Sequence, residues 1–196
     1  MNKPAAKSPT KPKRVYQLKI TLEDSKPKIW RRVLVPATIT LGKLHQVIQL
    51  AMGWQGGHLH CFKIEDKTYS YPQPDTGWED FSDIDYRRIT LTKVVPVEKA
   101  KFSYEYDFGD GWSHQIAVEK IFDAAEGMGS PVCVAGERAC PPEDVGGVGG
   151  YAEFLKAISK PKHPEHAHYL EWIGYTFDPE AFDLDAVNAA LTAIRS

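Results

Sequence analysis

The sequence lacks any long apolar run. Its apolar runs, such as "VLV" at 33–35, fall far below the roughly 18 residues that a membrane-spanning helix needs. Cysteine is scarce as well: Cys61, Cys133 and Cys140 are an odd number, which does not fit a disulfide framework. Residues 1–14 also lack the apolar centre of a secretory signal peptide. We therefore expect a cytoplasmic protein that makes no contact with membranes.

Acidic residues are absent from the N-terminal segment. Residues 1–14 contain five of the 24 Lys and Arg residues and none of the 26 Asp and Glu residues. The remainder of the chain is therefore acidic and repels a phosphate backbone. We expect a disordered basic tail over residues 1–14, and we expect nucleic acid to be bound, if at all, through that tail alone. With 42% hydrophobic residues overall, residues 15–196 are expected to form one globular domain.

The first half of this region alternates strand and helix patterns. Apolar residues alternate with polar ones over residues 15–22, and residues 29–35 repeat the pattern, which predicts a β-hairpin. Thr40 is a favourable N-cap for a helix with an apolar stripe, and Gly53 ends that helix. Two short strands follow at 59–64 and 68–71, before a polar loop over residues 72–88.

The second half begins with another hairpin and ends in helices. The sequence "DFGDGW" at 107–112 forms the predicted turn, because Gly109 and Gly111 tolerate a positive φ. Residues 123–150 are rich in glycine and proline and are expected to form a long loop. Three helical stripes then begin near Tyr151, His166 and Leu184. The order ββαββ, hairpin, ααα predicts an α+β fold with a mainly antiparallel sheet and a helical C-terminal part.

Several sequence blocks resemble one family. They are "IWRRVLVP" at 29–36, "LHQVIQLAMGW" at 44–54, "HLHCF" at 58–62, "YEYDFGDGWSHQIAVE" at 104–119, "CVAGERACPPEDVGGVGGY" at 133–151 and "FDPEAFD" at 177–183. On these blocks the chain resembles the plasmid pRiA4b ORF-3-like family, whose members are sometimes labelled passenger proteins of transposable elements. The resemblance implies no established activity. Relatives often have a cysteine where this chain has Val145, so the resemblance does not support a cysteine-based metal site here.

Histidines and cysteines are the candidate metal ligands. On a strand, His58 and His60 would point to the same face, and His114 would complete a zinc site if its strand lay beside theirs. Cys133 and Cys140 are weaker candidates, because six residues separate them, which is wider than the usual zinc-knuckle spacing. The alternative is that the histidines bond loop carbonyls and pack beside tryptophans.

The acidic turn has two interpretations. Asp107 and Asp110 would hydrogen-bond the amides of their own turn, which is the usual role of aspartate there. Two carboxylates beside imidazoles are also suited to general acid–base chemistry. No nucleophile is paired with a base, however, because Ser113 and His114, like Cys61 and His60, are strand neighbours that face opposite sides.

These observations favour a non-enzymatic binding module for a protein or a small molecule. Its predicted cleft is lined by His58, His60, Asp107, Asp110, Trp112 and His114. The main alternative is a metal-dependent, hydrolase-like enzyme that uses zinc held by His58, His60 and His114. A third alternative is an accessory role in the DNA transactions of mobile elements, through the basic tail.

Overall fold

The computed structural model describes residues 14–71, 83–124 and 130–194, which form eight strands and five helices. The strands are β1 (Arg14–Leu22), β2 (Trp30–Pro36), β3 (His60–Ile64), β4 (Lys67–Ser70), β5 (Ile84–Asp85), β6 (Lys101–Tyr106), β7 (Trp112–Asp123) and β8 (Val132–Glu137). The helices are α1 (Leu41–Met52), α2 (Leu91–Val94), α3 (Gly147–Ile158), α4 (His166–Ile173) and α5 (Leu184–Leu191).

All eight strands belong to one sheet. Their order is β5-β4-β3-β6-β7-β1-β2-β8. Each pairing is antiparallel except that of β4 with β5. The predicted α+β fold with a mainly antiparallel sheet is therefore confirmed, as are the hairpins β1–β2 and β6–β7.

Local sequence explains the first elements directly. Every second residue of β1 from Leu18 onward is fully buried, as the alternation predicts. Thr40 caps α1 through its hydroxyl, which accepts a hydrogen bond from the Lys43 amide. Gly53 ends the helix with φ at 101°, a conformation that glycine adopts without a steric cost.

The helices supply the other layer of the core. Helices α1 and α5 contact each other, α5 contacts β8, and α3 contacts α4. Strands β6 and β7 contribute three of the four largest fully buried side chains, those of Tyr104, Tyr106 and Trp112. The turn that joins these two strands lies at one end of the sheet, and that end carries the candidate site.

The predicted loop over residues 123–150 is corrected by the structure. Strand β7 extends to Asp123, β8 pairs antiparallel with β2, and α3 begins at Gly147. The glycines and prolines around β8 obscure its short alternation, in which Cys133 is buried between Val132 and Val134. Pairing with β2 stabilises this strand, and such a long-range partner is not visible in the local sequence.

Two other expectations fall mostly on residues outside the described ranges. All of the predicted basic tail except Arg14 lies outside these ranges, and Arg14 is the first residue of β1. Residues 72–82 of the predicted loop over 72–88 also lie outside these ranges, and the rest of that loop contains β5. None of the helices in the described parts is long and apolar enough to cross a membrane.

Candidate functional site

Three side chains from three separate segments meet beside the β6–β7 turn. His58 lies just before β3, Asp107 begins the turn, and Asp144 lies in the segment between β8 and α3. Nδ1 of His58 is 3.5 Å from Oδ2 of Asp107, and its Nε2 is 3.5 Å from Oδ1 of Asp144. One ligand atom from each residue lies within 4.8 Å of the other two, and no other residues in the described ranges form such a group of three. We call these three residues the His58 cluster.

The turn holds the Asp107 carboxylate in a fixed orientation. Its Oδ1 accepts hydrogen bonds from the amides of Gly109 and Asp110, at 3.0 and 3.3 Å. The Asp107 amide donates to the Leu59 carbonyl, which ties the turn to the segment that carries His58. The predicted turn role of Asp107 is therefore confirmed for one oxygen. The other oxygen, Oδ2, is left to face His58.

The Asp144 segment packs tightly against the same turn. The Gly146 amide donates to Oδ2 of Asp110 at 3.1 Å. A Cβ placed on Gly147 would lie 2.3 Å from the Asp110 carbonyl oxygen, and Gly147 has φ at 68°. Glycine is therefore required at this position, and its close approach brings Asp144 to the hairpin.

Alanine at Gly147 and alanine at Gly149 should have opposite effects. Gly147→Ala places a methyl group against a backbone oxygen and should lower the free energy of unfolding by about 2 kcal/mol or more. Gly149→Ala meets nothing within 4 Å and should raise it by up to about 1 kcal/mol, because alanine favours the helix. Urea unfolding followed by tryptophan fluorescence measures both. Equal stability of the two variants would contradict the close approach.

A second contact from the same segment supports the His58 cluster. The Tyr106 hydroxyl donates to Oε1 of Glu143 at 2.5 Å, and the Gln55 amide donates to the same oxygen at 3.3 Å. The Tyr106 ring lies edge-on to the His58 ring, with 5.7 Å between centroids. Burial and the neighbouring Glu143 carboxylate raise the pKa of Tyr106, which keeps the phenol protonated as a donor.

The structure does not bring the three predicted histidine ligands together. His58 lies outside β3, so the rule that alternate residues share a face does not apply to it. The His60 ring instead stacks on His45, at 3.6 Å between centroids, and its Nε2 is 2.6 Å from the Tyr86 hydroxyl. His114 is fully buried, and its Nδ1 is 3.3 Å from the Tyr104 carbonyl oxygen. His58, His60 and His114 therefore do not form the expected zinc site, and of the three only His58 belongs to a group of possible metal ligands within the described ranges.

Fewer of the predicted residues line the expected cleft than the sequence indicated. Trp112 is fully buried and packs against Trp54, so neither it nor His114 lines an accessible surface. The Asp110 carboxylate accepts from the Gly146 amide, which corrects the prediction that it would bond an amide of its own turn. Of the six predicted lining residues, His58 and Asp107 form the cluster and Asp110 supports it.

Neither Cys133 nor Cys140 belongs to a group of three metal donors within the described ranges. Cys133 is buried in β8, where its thiol donates to the Ala135 carbonyl at 3.5 Å. Burial raises the pKa of both thiols, which disfavours the thiolate that zinc requires. The two thiols are thus expected to stay protonated.

Comparisons with known proteins identify the family. The sequence model of the plasmid pRiA4b ORF-3-like protein family matches residues 14–186. The chain belongs to this family. It is 44% identical over 179 residues to the uncharacterized protein y4hQ of Sinorhizobium fredii (strain NBRC 101917 / NGR234), and the match covers 90% of each chain. It is also similar to the crystal structure of MM3350, a protein of unknown function from Methanosarcina mazei Go1. That likeness has a TM-score of 0.79 and 34% identity, over 88% of this chain and 97% of the other.

The sequence blocks that carry the family resemblance converge on the site. The block at 58–62 supplies His58, the block at 104–119 supplies Asp107, and the block at 133–151 supplies Asp144. The block at 44–54 ends at Trp54, whose indole donates to the Pro141 carbonyl at 3.0 Å and so anchors the Asp144 segment. In this pRiA4b ORF-3-like protein, the His58 cluster is therefore built from residues inside three of the family's blocks.

Asp144 belongs to the His58 cluster but is not among the ligands predicted from the sequence. It was visible only as part of an acidic pair, Glu143–Asp144, in a segment rich in glycine. Its role depends on the contact between that segment and the β6–β7 turn. The glycines at 146 and 147 were the available signal, since paired glycines often mark a close approach of two backbones.

Proposed function

We propose that this protein is a binding module whose site is the His58 cluster and whose ligand is a divalent cation, with zinc preferred. The observation that carries the proposal is the convergence of one imidazole and two carboxylates, with one ligand atom from each residue within 4.8 Å of the other two. Ligand atoms about 2.1 Å from a tetrahedral zinc ion lie about 3.4 Å apart, so the side chains would need to close by up to about 1.4 Å around the ion. Calcium and magnesium prefer sites made of oxygen alone, so the imidazole favours zinc over both.

Each nitrogen of His58 faces a different carboxylate, that of Asp107 or that of Asp144. Zinc would use one of the two nitrogens and displace a proton. Binding of zinc should therefore release protons and weaken as the pH falls.

Zinc titration of tag-free protein stripped with a chelator tests the proposal. Wild type should bind one zinc ion. His58→Ala and Asp144→Asn should each weaken zinc binding more than about 100-fold, which exceeds the loss typical of residues that only hydrogen-bond a metal ligand. These two residues are chosen because the turn itself depends on Asp107. His168→Ala and Asp66→Asn, at exposed positions outside the cluster, serve as matched controls and should leave the affinity unchanged. Equal binding by all four variants, or none by wild type, would refute the cation site.

A metal-dependent hydrolase is the second candidate, and one observation favours it. The three ligands lie at an edge where the Asp144 side chain is 71% exposed, which leaves a coordination position open to water, as in catalytic zinc sites. A panel of nitrophenyl esters and phosphodiesters separates the two candidates. An enzyme would show zinc-dependent hydrolysis that His58→Ala abolishes and His168→Ala retains. If wild type, His58→Ala and His168→Ala all hydrolyse the panel no faster than buffer, the enzyme candidate is rejected and the binding role is the one that remains.

A further inference from the structure

A cavity of about 460 Å³ lies away from the His58 cluster. It is formed by the β1–β2 connection, the second half of α3 and the segment before α5. Its lining residues are Lys26, Pro27, Ile29, Arg138, Tyr151, Leu155, Lys156, Ile158, Ser159, Phe177, Pro179 and Glu180. None of these belongs to the cluster. Gly147 touches the turn at the start of α3, and Leu155 lies about 12 Å further along that helix axis. We call this cavity the α3 pocket.

The floor of the α3 pocket is apolar. Leu155 and Ile158 contribute from α3, one turn apart, and Ile29 contributes from the sheet side. Tyr151 and Phe177 pack edge to face, with 6.2 Å between ring centroids and an interplanar angle of 84°. A cavity of this volume with apolar and aromatic walls is typical of small-molecule sites.

The charged residues at the rim are predominantly cationic. Lys26, Arg138 and Lys156 line the pocket, against a single acid, Glu180. Glu180 and Arg138 form an ion pair whose charges offset each other, so the net positive charge of the rim comes from Lys26 and Lys156. Lys26 is exposed and forms no ion pair in the part of the chain that the structure describes. Lys156 is 3.2 Å from Glu153, which also pairs with His163 at 3.1 Å, and the half-exposed Lys156–Glu153 pair is only a weak competitor for a ligand carboxylate.

The rim charge stands out because the folded part of the chain is acidic overall. A cationic rim above an apolar floor complements a ligand with an apolar body and one negative head group. We propose that the α3 pocket binds a small amphipathic carboxylate, a medium-chain acyl acid. Its chain lies against Leu155, Ile158 and Phe177, and its carboxylate lies between Lys26 and Lys156.

Binding of three probes of equal chain length tests this proposal: decanoate, decanol and decylamine. Calorimetry at low salt should give the tightest binding for decanoate and the weakest for decylamine. The Lys26→Glu/Lys156→Glu double variant should weaken decanoate binding about tenfold and leave decanol binding unchanged, because only the charged head group is affected. Lys93→Glu, an exposed charge change on α2, is the matched control and should retain the wild-type preference.

A second variant probes the floor. Leu155→Trp should fill the pocket and abolish binding of decanoate and decanol together. In an amide NMR spectrum, adding decanoate should shift the protein resonances of α3 and of residues 177–180. The proposal is overturned if decanoate does not bind. It is also overturned if decanoate binds no tighter than decanol and the double variant binds decanoate as tightly as wild type does. The lysine variants alter exposed residues and keep this test independent of whether Leu155→Trp folds.

Discussion

Replacing Arg31 with alanine should lower the free energy of unfolding by about 3–5 kcal/mol. The Arg31 side chain is buried on β2 and donates four hydrogen bonds to backbone carbonyls. The acceptors are those of Ala51 at 2.7 Å, Trp30 at 2.9 Å, Glu137 at 2.8 Å and Arg138 at 2.8 Å. Its guanidinium also stacks on Phe182, 4.3 Å from the ring centroid. Removal takes a hydrogen-bond donor from four backbone carbonyls around a buried position, which is costly inside a protein.

The neighbouring residue provides the control for this prediction. Arg32 points to the other face of the sheet and pairs with Glu119 at 2.6 Å, where both side chains are partly exposed. Arg32→Ala should therefore cost no more than about 1 kcal/mol. Arg31→Lys should also be strongly destabilised, because an ammonium cannot reproduce the planar fork that reaches separate carbonyls. Urea unfolding of the three variants measures these differences, and similar losses for Arg31→Ala and Arg32→Ala would contradict the anchoring role.

Acid should destabilise the protein steeply between pH 6.5 and pH 4. Burial lowers the pKa of His114 to about 4 and that of His45 to about 3, and burial also lowers the pKa of His60. In this pH range the unfolded chain binds protons that the folded chain excludes. Stability is thus retained above pH 6.5 and lost as the pH falls. His114 alone should contribute a loss of about 3 kcal/mol by pH 4, at about 1.4 kcal/mol per pH unit.

Unfolding free energies measured from pH 7.5 to pH 5 isolate the histidines, because carboxylate pairs such as Glu119 with Arg32 respond at lower pH. His114→Gln should reduce the slope of stability against pH by about one proton. His168→Gln, at an exposed position on α4, should leave the slope as in wild type. A stability that stays flat from pH 6.5 to pH 5 would show that the buried imidazoles accept protons in the folded protein.

The elements defined by local patterns were predictable. Strand β1 follows from the alternation that ends at Leu22, and α1 follows from the Thr40 cap and the Gly53 stop, both present in the structure. Strand β8 was not predictable in the same way, because its stability comes from pairing with β2 across about a hundred residues of sequence. Glycine and proline around it masked a six-residue strand.

The candidate site was predictable in part, for a related reason. His58 and Asp107 stood out by residue type and by their place beside predicted strand ends. The strand period then grouped His58 with His60 and His114. That period gives the face of a side chain but not what covers the face. In the structure α1 covers His60 through His45, and Trp54 lies edge-on to His114. Asp144 lies at the site because Gly147 packs closely against the Asp110 carbonyl, and no local sequence pattern predicts that contact.

Anomalous scattering from crystals supplied with zinc is the most direct test of the His58 cluster. Crystals of chelator-treated protein should show a zinc peak after exposure to the metal. It should lie about 2.0–2.2 Å from one nitrogen of His58 and from carboxylate oxygens of Asp107 and Asp144. Crystals of His58→Ala should lack the peak, and crystals of His168→Ala should retain it. If the wild-type crystals instead show the His58 ring bridging two carboxylates with no peak, or a peak at His60, the proposed cation site is contradicted.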